Sequence, residues 1–258
     1  MKRVWVTALA KEAQRVQKTL SMLKTYALDA DGHFWDDDLQ KMAWMGARPQ
    51  LTDPDTALWL ILSDDASLAA DSVRYGLSML TLSAQGVRGH GFPLILVHAG
   101  EALPAAPSLP TPLQGAEILA ADHPALGAKI VAAANTPPAA ISADYRLDVY
   151  AVPQIGQWLE VGPSETEWNG GMFGVCGAEI DAHGVGPAGR LPQKAVLEYP
   201  QQGLKLNAGG KEYTAWAVRN RLDSGSSYYV RVQGEPEAIL FGPPAGSDDA
   251  DGFVIRLK

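Results

Sequence analysis

Two apolar runs of strand length dominate the first half of the chain. Ala57-Leu58-Trp59-Leu60-Ile61-Leu62 stops at the polar Ser63-Asp64-Asp65, and Pro93-Leu94-Ile95-Leu96-Val97 stops at His98-Ala99-Gly100-Glu101. Between them lies Ala66 to Gln85, a long apolar segment without proline, followed by the loop Gly86 to Phe92. Continuous apolar runs of this length fit strands buried on both faces. A long helix between two of them predicts a parallel β-α-β unit. In open parallel sheets, ligands bind beyond the carboxyl ends of the strands. Ser63, Asp64, Asp65, His98 and Glu101 stand at those ends and are the candidate ligand-binding residues.

The flanking pattern extends this unit. Arg3 to Leu9 reads as a first strand, followed by a helix from Ala10 to Ala27 with Ala13, Val16, Leu20, Leu23 and Ala27 on one apolar stripe. Lys11, Arg15, Lys18 and Lys24 fall off that stripe, towards solvent. Asp29 to Asp38 suits an edge strand, and Leu39 to Met45 a short helix ended near Gly46 and Pro49. Pro104, Pro107, Pro110 and Pro112 predict a surface loop. Ala116 to Ala120 suits a last strand, and Pro124 to Ala134 a last helix with Pro124 near its first turn.

Helical periodicity ends at Asn135-Thr136-Pro137-Pro138. Beyond it, short runs alternate with Gly and Pro: Tyr145 to Val152, Trp158 to Val161, Gly171 to Val175, Ala195 to Tyr199, Tyr213 to Val218, Tyr228 to Val232, Ala238 to Phe241 and Phe253 to Leu257. That spacing predicts a β-sandwich or barrel. The expected architecture is a flavodoxin-like α/β domain over residues 1–138 and a mainly β domain over 139–258.

Composition narrows the function. An apolar share of 47% suits a folded protein, and a net charge of −8 without basic clusters argues against nucleic acid and anionic membranes as partners. No stretch approaches the roughly 18 apolar residues of a membrane span. Met1-Lys2-Arg3 resembles a signal-peptide start, but Val4 to Leu9 is too short an apolar region and Lys11-Glu12 follows, so a cytoplasmic first strand is expected. The single cysteine, Cys176, excludes an intrachain disulfide and a Cys-cluster zinc site. No acidic pair, Gly-Lys-Ser/Thr close or Gly-x-Gly-x-x-Gly follows the first strand, which excludes a phosphoacceptor, a Walker loop and a Rossmann fingerprint.

Other polar groups have plain readings. Asp36-Asp37-Asp38 suits a helix start better than a cation site. Glu179, Asp181 and His183 share a face, but Ile180 and Ala182 between them make an ordinary amphipathic strand. Trp158, Trp168, Tyr213, Trp216, Tyr228 and Tyr229 suit a sandwich core. His90 reads as an exposed loop residue and His98 as the site histidine. No metal or cofactor is expected.

Leu60-Ile61-Leu62-Ser63-Asp64-Asp65-Ala66-Ser67 followed by Asp71-Ser72-Val73-Arg74-Tyr75-Gly76-Leu77 resembles the strand, serine-bearing turn and helix of TIR domains. A related likeness is to nucleoside deoxyribosyltransferase-like folds. The resemblance implies a glutamate in that helix for cleaving the nicotinamide–ribose bond, but Gly76 stands at the matching position, and the deoxyribosyltransferase nucleophile falls near Arg74. Neither is a carboxylate able to steady a developing ribosyl cation.

A non-catalytic TIR-like signalling or interaction module is therefore expected, recognising a protein partner or itself, with a β accessory domain. The alternative is a nucleotide-binding protein, or an enzyme cleaving an N-glycoside, at Ser63 to Asp65, with Asp64, Asp65 and Asp71 as its carboxylates. Ala66 to Gln85 also carries Leu68, Val73, Leu77, Leu80 and Ala84 on one stripe and Ala69, Ala70, Met79 and Leu82 elsewhere. A helix apolar on several faces needs cover beyond the sheet, from the C-terminal domain, a neighbouring helix or a second copy of the chain.

Overall fold

A computed structural model describes residues 1–194, 196–244 and 252–258. The chain divides into two compact units, Met1–Ile141 and Ser142–Lys258.

The first unit is α/β. Its strands are β1 (Arg3–Ala8), β2 (Asp29–Phe34), β3 (Thr56–Ser63), β4 (Leu94–His98) and β5 (Glu117–Ala120). All neighbours are parallel, in the order β2-β1-β3-β4-β5, the flavodoxin-like order with its switch point between β1 and β3. The helices are α1 (Ala13–Thr25), α2 (Arg48–Thr52), α3 (Asp65–Ala69), α4 (Asp71–Arg88) and α5 (Leu126–Asn135). The connection from β1 to β2 runs one way along the sheet and that from β3 to β4 the other way. Right-handed crossovers therefore put α1 and α4 on opposite faces. Val4, Val6, Leu58, Leu60, Leu62 and Val97 form one core with Leu23 of α1 and Ile130 of α5. Alternation turns Trp59, Ile61 and Ser63 to the other face.

Several local expectations change. The segment from Ala66 to Gln85 is not one helix, because Ala70 is extended (φ −76°, ψ 119°) and separates α3 from α4. Helix α4 runs on through Gly86 to Arg88, past the predicted loop start. It packs against α2, α3 and the 3-10 turns Ala43–Ala47 and Thr111–Leu113. Its residues from Tyr75 to Ala84 are all buried, Met79 among them. A neighbouring helix and turns thus supply the second cover, and this helix needs no second copy of the chain. In place of a helix over Leu39 to Met45 stand the first of those turns and α2. Pro49 lies in the first turn of α2 instead of ending a helix, since that turn needs no N–H from it.

The second unit is antiparallel β. It contains β6 (Tyr145–Val152), β7 (Gly156–Pro163), β8 (Gly171–Cys176), β9 (Glu179–Pro187), β10 (Gln201–Ala208), β11 (Lys211–Val218), β12 (Ser226–Gln233), β13 (Ala238–Gly242) and β14 (Phe253–Arg256). They make two sheets, β10-β11-β8-β13-β14 and β6-β7-β12-β9. Side chains cross between the sheets: Tyr145 meets Phe241 edge-on at 4.9 Å, and His183 meets Trp216 at 4.7 Å. The strand expected over Ala195 to Tyr199 is absent from residues 196–199, and Ala195 lies outside the described residues. Asn220 ties this segment down through the amide of Glu198 and the carbonyl of Val196. Tyr199 is left-handed there (φ 45°), which ends any extended run. No helix among the described residues is long and apolar enough to cross a membrane.

Candidate functional site

The carboxyl ends of β3 and β4 bring most of the candidate residues together. Ser63 and His98 are register partners on adjacent strands. Ser63 Oγ lies 3.1 Å from His98 Nδ1, and His98 Nε2 lies 3.1 Å from Asp65 Oδ1. An ionised carboxylate only accepts, so Nε2 carries a proton, and in the singly protonated ring Nδ1 accepts from the Ser63 hydroxyl. The second Asp65 oxygen accepts from the backbone N–H of Glu101 at 3.3 Å. Glu101 joins the cluster only through its backbone, because its side chain is exposed. Asp64 caps α3: its Oδ1 accepts from Ser67 N at 2.7 Å, and Ser67 Oγ accepts from Asp64 N at 3.1 Å. Burial opposes its charged form, yet the bonds from Ser67 and nearby Arg15 hold its carboxyl below the usual range.

The order Ser63, His98, Asp65 has the bonding sequence of a hydrolytic triad. Access rules out that use. Ser63 is 0% exposed and His98 3%, so no acyl carbon can come within bonding reach of Oγ. The relay opens to solvent only at Asp65, whose side chain is 65% exposed. Gly100 closes it from above: a Cβ there would lie 2.2 Å from His98 Nε2 and 2.3 Å from Asp65 Oδ1. The cluster satisfies its own hydrogen bonds and pins α3 and the β4 loop to the strand ends.

Gly76 has a packing role. A Cβ at this position would lie 2.7 Å from the Trp35 ring and 3.1 Å from Trp44. Glycine inside a helix costs about 1 kcal/mol against alanine, and here it admits an aromatic ring against the helix backbone. A glutamate side chain has no room at that point.

One residue of this region differs from its sequence reading. Arg15 is not turned to solvent: its Nη2 donates to the carbonyls of Ser63 and Val97, both at 3.0 Å. Burial lowers the pKa of its guanidinium, while the carboxylates of Glu12 and Asp64 support the charge. The signal was its place in the first turns of α1, beside the strand ends; the apolar stripe alone sent it outward.

The remaining candidates do not converge. Asp37 accepts from Ser72 at 2.6 Å and from Trp35 Nε1 at 3.3 Å, and Asp38 binds Lys41. Asp181 pairs with Arg231 and Gln233, while His183 faces the Tyr228 hydroxyl at 2.8 Å. Among the described residues no group of three His, Cys, Asp or Glu side chains is placed to hold a metal. His90 is half-buried, not exposed, and burial lowers its pKa. Trp168, Tyr213, Tyr228 and Tyr229 are buried core residues, and Trp158 carries Arg231 over its ring at 5.6 Å. A cleft of about 990 Å³ lies at the amino ends of the strands, and both of its arginines are engaged by the protein. Arg3 binds Asp53, and Arg88 donates to the carbonyls of Leu51, Asp53 and Thr56.

A second polar network, unforeseen from the sequence, lies in the β unit. Glu160, 3% exposed, accepts from Tyr150 Oη at 2.7 Å, Ser227 Oγ at 2.7 Å and Gly189 N at 2.8 Å. Arg146 donates to Ser227 Oγ at 3.0 Å and to the Ser226 carbonyl at 2.8 Å. Burial and the Glu160 carboxylate raise the pKa values of Tyr150 and Tyr229.

No protein-family model matches the chain, and no curated protein matches it significantly. Among solved structures, an NAD kinase from Archaeoglobus fulgidus in complex with ATP is similar at 9% identity over 91% of each chain, with a TM-score of 0.29. Similarity of that degree says nothing about the activity of this chain.

Proposed function

We propose that the chain is a non-catalytic signalling or interaction protein. Its TIR-like α/β unit recognises a protein partner or a second copy of the chain, and its β unit is an accessory domain. The observation that carries this reading is the commitment of the strand-end polar groups. Ser63, His98 and Asp65 bond to one another, Asp64 caps α3, and the Trp35 ring lies against the helix at Gly76. Strand order and the serine-bearing turn after β3 support the TIR-like part of the reading. A second reading, a nucleotide ligand at the strand ends, draws on the exposed Asp65 carboxylate at the carboxyl end of a parallel sheet.

The test is incubation of the purified protein with NAD, followed by chromatography. No nicotinamide above the buffer control is expected. Release that is abolished by substituting Asp64, Asp65 or Asp71 would overturn the reading. Light scattering on the same sample, alone and with candidate partners, then tests the association half.

A further inference from the structure

The lysines on and around the helices of the α/β unit are placed in two ways. Lys41 and Lys129 sit 2.7 and 2.8 Å from carboxylates. Lys24 lies in the last turn of α1, where a cation complements the helix dipole. Lys11, just before α1, and Lys18 have no carboxylate partner among the described residues, and both are exposed. Lys11 stands just before the end of α1 where a cation is unfavourable, and the first turn of that helix has no acidic residue.

Arg15 lies between them. Its Nη2 spends both protons on the carbonyls of Ser63 and Val97. The three N–H groups on Nε and Nη1 have no acceptor among the described residues. Glu12, Ala13, Gln14, Arg15 and Lys18 line a cleft of about 600 Å³. It opens on the α1 side of the sheet, opposite to the side chains of Ser63 and His98.

We propose that this cleft binds a phosphate-bearing small molecule. Arg15, held in place by two strand-end carbonyls, presents its free N–H fork to the phosphate oxygens, a geometry suited to guanidinium. Lys18 lines the same cleft and adds charge, and Lys11 stands just outside its lining. The carboxylates of Glu12 and Asp64 offset two of the three cations, and the remaining +1 favours a phosphate. The site goes beyond the interaction-module reading and does not depend on it. Nicotinamide release from NAD would overturn that reading and leave this site standing.

The experiment is isothermal titration of the full chain at low salt with pyrophosphate, ADP and adenosine as separate probes. Pyrophosphate and ADP bind, adenosine does not, and both affinities weaken as salt rises. Tighter binding of ADP than of pyrophosphate assigns an added nucleoside contact, and equal binding assigns the phosphates alone; either result supports the site. Because Arg15→Gln releases two strand-end carbonyls and can loosen the fold, the deciding variant is Lys18→Glu, an exposed position. It weakens binding at least tenfold, while Lys24→Glu leaves it unchanged. No binding by pyrophosphate or ADP, adenosine binding as well as ADP, or full affinity in Lys18→Glu would each overturn the proposal.

Discussion

The strand-end network of the α/β unit and the Glu160 network of the β unit are built on opposite principles. In the α/β unit a relay from Ser63 to His98 ends on an aspartate that reaches solvent. In the β unit the carboxylate itself is enclosed: Glu160 is 3% exposed and receives two hydroxyls and an amide. The contrast shows where each fold places its electrostatic risk. A parallel sheet ends all its strands at one edge, so a polar side chain there needs only one turn of chain to reach water. An antiparallel sheet has no such common edge, and a charge in mid-strand must be met by partners from neighbouring strands and loops.

The largest effect is expected from the enclosed charge. Glu160→Ala leaves the Tyr150 and Ser227 hydroxyls and the Gly189 amide without their acceptor beside the Arg146 guanidinium. About 3–5 kcal/mol of stability should be lost, read by denaturant unfolding of the β unit's signal. A loss below about 1 kcal/mol would mean that the network is open to water.

Ser63→Ala removes the donor to His98 Nδ1 in a dry site. About 1–3 kcal/mol is expected, the cost of one unsatisfied buried group. If Ser63→Ala were to cost more than Glu160→Ala, the contrast between the two networks would be reversed.

Acid provides a probe common to both units. Burial lowers the pKa values of His33 in the α/β unit and His183 in the β unit from the ordinary 6.5. Both are neutral in the fold, where the ring nitrogens face Trp5 Nε1 at 3.2 Å and the Tyr228 hydroxyl at 2.8 Å. Their folded pKa values lie below the unfolded one, so the unfolded chain takes up protons first. This stabilisation is complete above about pH 6.5 and is lost as pH falls towards the lowered values. Tm should therefore drop between pH 7.5 and 5, with a flatter profile in His33→Asn/His183→Asn. An unchanged slope in that variant would locate the acid sensitivity elsewhere.

The smallest effect belongs to Asp65→Asn. Its side chain is mostly solvated, so less than about 1 kcal/mol should be lost.

The two networks were unequally legible in the sequence. Ser63 and His98 follow continuous apolar runs, and the abrupt change to polar residues marks a strand end with no knowledge of partners. The parallel direction of the strands followed from the same runs, because a helix between two buried strands makes them parallel. Glu160 sits in Trp158-Leu159-Glu160-Val161, where alternation makes an enclosed acid look like an ordinary solvated one. Its enclosure depends on Tyr150, Gly189 and Ser227, the last of these 67 residues away, and on a register that hydrophobicity does not specify. Arg15 was missed for a related reason: the period of α1 locates its core face, not what the flanks of the helix reach. The break at Ala70 was hidden because alanine carries no stop signal.

The central claim is that the strand-end relay holds the fold and performs no nucleophilic chemistry. A fluorophosphonate that labels activated serines tests it directly. After incubation with the folded protein, mass spectrometry of the digest should show no adduct on the peptide containing Ser63. A stoichiometric adduct at Ser63, lost in His98→Ala, would contradict the claim.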